Sequence, residues 1–127
     1  MLTMRGTTHA IRREVCFLLG RGGALLWADT SGSAAALADS RRRWAAIWAL
    51  RDELEEIAHS HPDGPAAFSR EDETTMAALD GALGRALRFS VVAPTVTITR
   101  VGAHIIEVSP EPWWADLLRL ASGMTQE

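Results

Sequence analysis

Apolar residues in this chain gather into short continuous runs and into stripes of helical spacing. Val15 to Leu19 reads VCFLL, a run of strand length with β-branched and aromatic members. GRGG (Gly20 to Gly23) interrupts it and Ala24 to Ala28 resumes, which predicts a hairpin. GRGG also suggests a phosphate loop. It lacks the Gly-Lys-Ser/Thr ending, however, and joins two strands, so it reads as a turn. A short helical turn is expected over Thr8 to Arg13 and a loop over Thr30 to Ser33. Ala34 to Glu53 reads as a helix, with Trp44, Ile47, Trp48 and Arg51 at three- and four-residue spacing. Its tryptophans are expected to form a core stripe against a sheet. Leu54 to Ala58 predicts a strand that runs into His59 and is ended by Pro62.

Ser69 reads as the N-cap of a second helix reaching about Leu87. Met76, Leu79, Leu83 and Leu87 form its apolar face, which Gly81 and Gly84 loosen. Three strands are expected next, over Arg88 to Val92, Thr95 to Val101 and His104 to Val108, the last two as a hairpin around Gly102. EPWWADLLRLASG predicts a short amphipathic helix that packs Trp113, Leu117 and Leu120 on the sheet. The order β-β-α-β-α-β-β-β-α implies an α/β fold, a mixed β-sheet flanked by helices. A length of 127 residues suits one domain spanning residues 1–127.

Composition narrows the function classes. A hydrophobic content of 47% and a charged content of 23% are ordinary for a soluble globular protein. The net charge of −3 gives no basic footprint, so no nucleic-acid partner is expected. Arg41, Arg42 and Arg43 read as a solvated helix face. The single cysteine, Cys16, excludes an internal disulfide framework and, inside an apolar run, reads as a buried structural thiol. VCFLL is too short to span a membrane. It follows Arg12, Arg13 and Glu14 without a small-residue cleavage site, so it does not read as a signal peptide. A cytoplasmic location and no membrane partner are the expectations. All thirteen basic residues are arginine, which a GC-rich coding bias explains.

The chemistry concentrates in HSHPDGPAAFSRED, His59 to Asp72. Strand residues two apart share a face, so His59 and His61 can aim both imidazoles at one point. Asp72 opens the following helix and can bring a carboxylate to the same place. Two imidazoles and one carboxylate suit zinc with an open fourth position, the arrangement of catalytic zinc. Each piece has a structural reading too: Ser69 and Asp72 form a capping box with or without a metal, and His-x-His pairs can be merely hydrogen-bonded. The joint pattern His-x-His-Pro-x₆-Ser-x₂-Asp is another matter, arising by chance on the order of once in 10⁷ starting positions. His9 and His104 lack partners at ligand spacing and read as ordinary surface or edge-strand histidines.

At each of its fixed positions this stretch resembles the signature of the JAMM (MPN+) zinc metallopeptidases, the JAB-domain family. EVCFLLG, Glu14 to Gly20, is similar to the family's upstream glutamate motif. Phe17 departs from the small residue usual there, which bears on packing rather than chemistry. The resemblance covers about residues 8 to 108 and implies a three-layer, cytidine-deaminase-like domain of the prokaryotic deubiquitinase-like type. It implies that His59, His61 and Asp72 ligate Zn²⁺. It further implies that Glu14 holds the attacking water, acts as general base and protonates the leaving amine, and that Ser69 donates to the oxyanion. Glu55, Glu56, Glu71 and Glu73 are rival bases.

The resemblance then implies zinc-dependent hydrolysis of a peptide or isopeptide bond. The substrate is a ubiquitin-like or sulfur-carrier protein with a small, glycine-rich C-terminal tail, either processed or deconjugated. An extended tail can add as a strand beside the site, and small residues let the backbone approach the metal. E1- and E2-like enzymes of the same pathway become partners, as does a helper protein or a second copy. Beside a lysine-directed conjugation system, the absence of lysine also reads as protection from modification. Two alternatives remain open, a metal-free MPN-type scaffold and a RadC-like protein with DNA-associated roles.

Overall fold

The computed structural model describes residues 12–29 and 41–124. Among the described residues six strands and three helices follow in the expected order: β1 (Cys16–Leu19), β2 (Leu25–Asp29), α1 (Arg41–Ala49), β3 (Glu56–Ser60), α2 (Arg70–Leu83), β4 (Arg88–Val92), β5 (Thr97–Val101), β6 (His104–Glu107) and α3 (Trp113–Ala121). The strands form one sheet in the order β2-β1-β3-β4-β5-β6. Only β3 and β4 are parallel neighbours, joined by the α2 crossover, and the sheet is therefore mixed.

Why VCFLL is apolar without a break follows from the layers. Val15, Phe17 and Leu19, with Ala58 and Val92, pack on Trp114, Ala115 and Leu118 of α3. Cys16 and Leu18, with Ile57 and Phe89, pack on Ile47 of α1 and Met76 and Leu79 of α2. A strand covered on both faces has no polar side to show. Phe17, the departure noted above, is buried among the α3 contacts on the face away from the histidines.

Several boundaries differ from the pattern-based expectation. Thr8 to Ile11, the Thr30 to Ser33 loop and the first turns of the predicted 34–53 helix lie outside the described residues, and Arg12 and Arg13 are not helical. The helix ends at Ala49 rather than Glu53. A turn follows in which Leu54 is fully buried, and Glu55 N–H already joins the sheet through Leu19 C=O at 2.8 Å. β3 therefore begins at Glu56 and includes His59. α2 stops at Leu83 rather than Leu87, because Gly84 takes the left-handed conformation (φ 71°) and closes the helix on Asp80 C=O. GRGG is a short 3₁₀ turn between β1 and β2, and Gly102, with φ of 60°, turns the β5–β6 hairpin.

Three packing expectations are overturned. Trp113, Leu117 and Leu120 do not face the sheet; they are 58%, 37% and 74% exposed, and Trp114, Ala115 and Leu118 are buried instead. Two apolar stripes run along α3, so periodicity alone cannot choose between them. Arg119 chooses: it is buried, donates to Ala93 C=O at 2.9 Å, and forks onto both oxygens of Glu111 at 2.8 and 2.6 Å. Similarly, Ile47 is the buried member of the α1 stripe, whereas Trp44 and Trp48 are exposed and Arg51 stacks over the Trp48 ring. Arg41 and Arg42 are solvated, but Arg43 is buried and ion-paired to Asp29 at 2.5 Å. That pair ties α1 to the end of β2.

Candidate metal centre

Sheet parity assembles the site. Cys16 lies opposite His59 in the antiparallel β1–β3 register, and Ser60 N–H continues the ladder to Val15 C=O at 3.1 Å. Glu14, two residues before Cys16, therefore belongs to the face that carries His59, and His61 follows just past the end of β3. His61 is held in line by its own N–H, which donates to Val92 C=O at 2.9 Å. The residues between these positions point the other way: Ser60 is fully buried and accepts from Val15 N–H at 2.9 Å.

Asp72 arrives from the start of α2. Ser69 Oγ accepts from Asp72 N–H at 3.0 Å, and Asp72 Oδ2 accepts from Ser69 N–H at 2.8 Å, a complete capping box. The capping box and the approach of Asp72 to the histidines are one arrangement. The box turns the carboxylate so that Oδ1 lies 3.5 Å from His59 Nε2 and Oδ2 lies 3.6 Å from His61 Nε2.

These distances fit a zinc ion. The two Nε2 atoms are 3.1 Å apart, and one ligand atom from each of the three residues falls within a common 4.8 Å. A tetrahedral zinc with bonds of about 2.0–2.1 Å has edges of about 3.3–3.4 Å between ligand atoms, close to all three separations. The donor chemistry agrees. His61 Nδ1 lies 3.0 Å from Pro65 C=O, a bond that places the ring proton on Nδ1 and leaves the Nε2 lone pair for a metal. The Pro65 carbonyl was not visible to motif reasoning, since a backbone acceptor carries no residue-type signal.

Electrostatics follow from half-burial and mutual contact. Burial by itself raises the Asp72 pKa, but the facing His59 and His61 imidazoles, the His59 charge and the hydrogen bond from Ser69 N–H hold this carboxyl well below the usual range. Burial lowers the His61 pKa, yet the facing Asp72 carboxylate, the Pro65 carbonyl and the Glu14 charge leave it raised. Glu14 is raised, first by burial and also by the Asp72 charge, against the opposing His59, His61 and Arg43. Cys16 lies beneath the site with its thiol pushed up by burial to about 12, in keeping with a structural role.

Glu14, His59, His61, Ser69 and Asp72 line one cleft of about 540 Å³. Among the rival glutamates, Glu56 is engaged elsewhere: it lies on the opposite parity of β3, where Ser90 Oγ donates to it at 2.5 Å. Glu73 is an exposed first-turn residue and is not part of the cleft wall, whereas Glu71 sits at its rim. His104 is exposed on the edge strand β6, as expected, and His9 lies outside the described residues. At the cleft mouth Arg12 pairs with Asp63, joining the segment before β1 to the loop after the histidines.

An α/β domain with a mixed sheet and a His-His-Asp cluster at the end of a central strand is the class that fold and site define. A family model of prokaryotic homologs of the JAB domain matches residues 8–115, and the chain belongs to that family. No curated protein matches the chain. Among the described residues no helix is long and apolar enough to cross a membrane.

Proposed function

We propose that this protein is a zinc metallopeptidase that hydrolyses a peptide or isopeptide bond at the C-terminal tail of a ubiquitin-like or sulfur-carrier protein. The observation that carries the reading is the spacing of the His59, His61 and Asp72 ligand atoms at 3.1, 3.5 and 3.6 Å, beside a half-buried glutamate in the same cleft. Zinc held there would supply Lewis acidity to an amide carbonyl and to a water molecule in the open position.

The chain's own residues supply the proton chemistry. Glu14 takes a proton from the attacking water as the new C–O bond forms, and returns it to the amine nitrogen as the C–N bond breaks. The products are a carboxylic acid and an amine, which at neutral pH ionise to a carboxylate and an ammonium. Its raised pKa suits a group that must both accept and give up that proton near neutrality. The Ser69 hydroxyl oxygen accepts from Asp72 N–H, and its own O–H remains a donor for the oxyanion that develops on the amide carbonyl. Fixed by the capping box, that donor needs little reorganisation.

Metal analysis with a cleavage assay tests the reading. The purified chain is expected to hold about one zinc, and His59→Ala, His61→Ala or Asp72→Ala to lose it. The unmodified chain should release the fused group from a ubiquitin-like domain ending in Gly-Gly. Full metal retention by all three variants would sink the site. Zinc bound without any hydrolysis would favour a scaffold. Adjacent genes for E1- and E2-like enzymes would point to deconjugation, and genes of cysteine or cofactor synthesis to precursor processing.

A further inference from the structure

The cleft at the metal ligands does not end with them. It continues over the sheet between α1 and α2, where Ile57 and Phe89 form the floor and Ile47, Met76 and Leu79 the inner walls, with Trp44 at the mouth. Thr75 is the polar residue on the α2 side of this extension. The five floor and inner-wall side chains also belong to the buried core between sheet and helices, and each shows the cleft only a small part of its surface. Protein interiors pack to near-crystalline density, and unfilled apolar space costs stability in proportion to its volume. A 540 Å³ opening that begins in the core layer and ends at three metal-ligand atoms is within the range of ligand sites, about 300–1,000 Å³.

We infer that this apolar extension is a specificity pocket, and that one residue flanking the scissile bond of the substrate is a large apolar one, of the size of leucine or phenylalanine. The inference rests on the peptidase reading for the location of the scissile bond. Polar groups crowd at one end of the cleft, where Glu14, Ser69 and the ligand cluster meet the amide. The other end offers isoleucine, methionine, leucine and phenylalanine walls, with the buried Cys16 at its base. Arg43 also lines the cleft but is paired with Asp29, so a charged or amide side chain set among the apolar walls would be poorly compensated for its desolvation, which costs several kcal/mol in apolar surroundings. A glycine would leave the walls wet. The tail can be small where the backbone passes the metal, with selectivity from the adjoining large residue.

Two peptide series test this, one varying the residue on the acyl side of the scissile bond and one the residue on the amine side, with Gly, Ala, Leu or Phe at that position. Affinities are measured by calorimetry on the full zinc-loaded chain carrying Glu14→Gln, and kcat/KM on the unmodified chain. In one series the Leu or Phe peptide should bind at least about tenfold more tightly than the Gly peptide, the effect of burying one large apolar side chain. Thr75→Trp, which fills the extension, should bring that ratio close to one. Trp44→Ala, which removes the aromatic side chain at the mouth, should reduce it and serves if Thr75→Trp does not fold. Equal affinities for Gly and Phe in both series would overturn the inference. A Phe preference without hydrolysis of any peptide would instead overturn the peptidase reading and leave the pocket's ligand class standing.

Discussion

Ser60 and Val15 exchange two hydrogen bonds: Val15 N–H donates to Ser60 Oγ at 2.9 Å, and Ser60 N–H donates to Val15 C=O at 3.1 Å. Ser60 Oγ also reaches Arg13 C=O at 3.4 Å, so one buried hydroxyl grips the backbone on both sides of Glu14. The residue between the two histidines thus positions the carboxylate opposite them.

Removing that grip has a defined consequence. Ser60→Ala leaves the Val15 N–H without a buried acceptor and should cost about 1–3 kcal/mol of folding stability, read by urea denaturation. Zinc content should stay near one, since the ligands remain. kcat should fall more than KM rises, as Glu14 loses its fixed backbone, and Ser60→Thr should restore most of it. Loss of zinc in Ser60→Ala would show that the hydroxyl supports the ligands rather than Glu14.

Glu14 also makes stability depend on pH in a particular direction. Its folded pKa lies above the ordinary 4.5 because burial disfavours the charged form. Above about pH 4.5 the unfolded chain holds fewer protons than the folded one, so this group lowers stability as pH rises through its folded value. In the metal-free protein, Glu14→Gln should therefore be more stable than the parent at pH 7, with the gap closing as pH falls below the ordinary value. Thermal melts with chelator across pH 4 to 8 read this directly. A Gln variant less stable than the parent at pH 7 would contradict a desolvated carboxylate.

Cys16 is expected to be inert. With its thiol pushed to about 12 by burial, the thiolate fraction at pH 8 is on the order of 10⁻⁴, and the sulfur is fully covered besides. Thiol reagents should label the native chain far more slowly than the urea-unfolded chain, followed by absorbance or mass. Labelling at equal rates in both states would place the thiol at the surface.

Arg119 should matter more than a helix-surface arginine. Its side chain is 4% exposed and joins Glu111, Asp116 and Ala93 C=O, while Glu111 also accepts from Thr97 Oγ1 at 2.7 Å. Arg119→Met removes one partner of this cluster and should cost about 3–5 kcal/mol in chemical denaturation. Arg119 holds Glu111 below its ordinary pKa, so the parent loses the contribution of this pair as pH falls through that depressed value; the Met variant should lack this acid-sensitive component.

Much of this was legible in the residues. The two-residue period that puts His59 and His61 together, the capping box of Ser69 and Asp72, and the unbroken VCFLL run each follow from local backbone geometry that any chain of that pattern adopts. Element order and the mixed sheet followed as well, because strand and helix periods differ and Pro62, Gly84 and Gly102 punctuate them. Which glutamates share the histidine face was not legible locally: it took the β1–β3 register to put Glu14 on that face and Glu56 on the other.

Where the pattern was ambiguous, tertiary contacts decided. α3 carries two apolar stripes, and the Arg119–Glu111 fork, a contact eight residues apart, selected Trp114 and Leu118 over Trp113 and Leu117. α1 carries three arginines in a row, and Asp29 from another element took Arg43 into the interior. The His61 tautomer waited on a proline carbonyl, and the cleft takes its apolar lining from α1, α2 and two strands at once. Sequence determines what is set by neighbours along the chain: turns, caps, strand faces and the pairing of His59 with His61. Which of two similar faces is buried, and what space is left between elements, depends on partners distant in sequence, and only the folded arrangement brings those together.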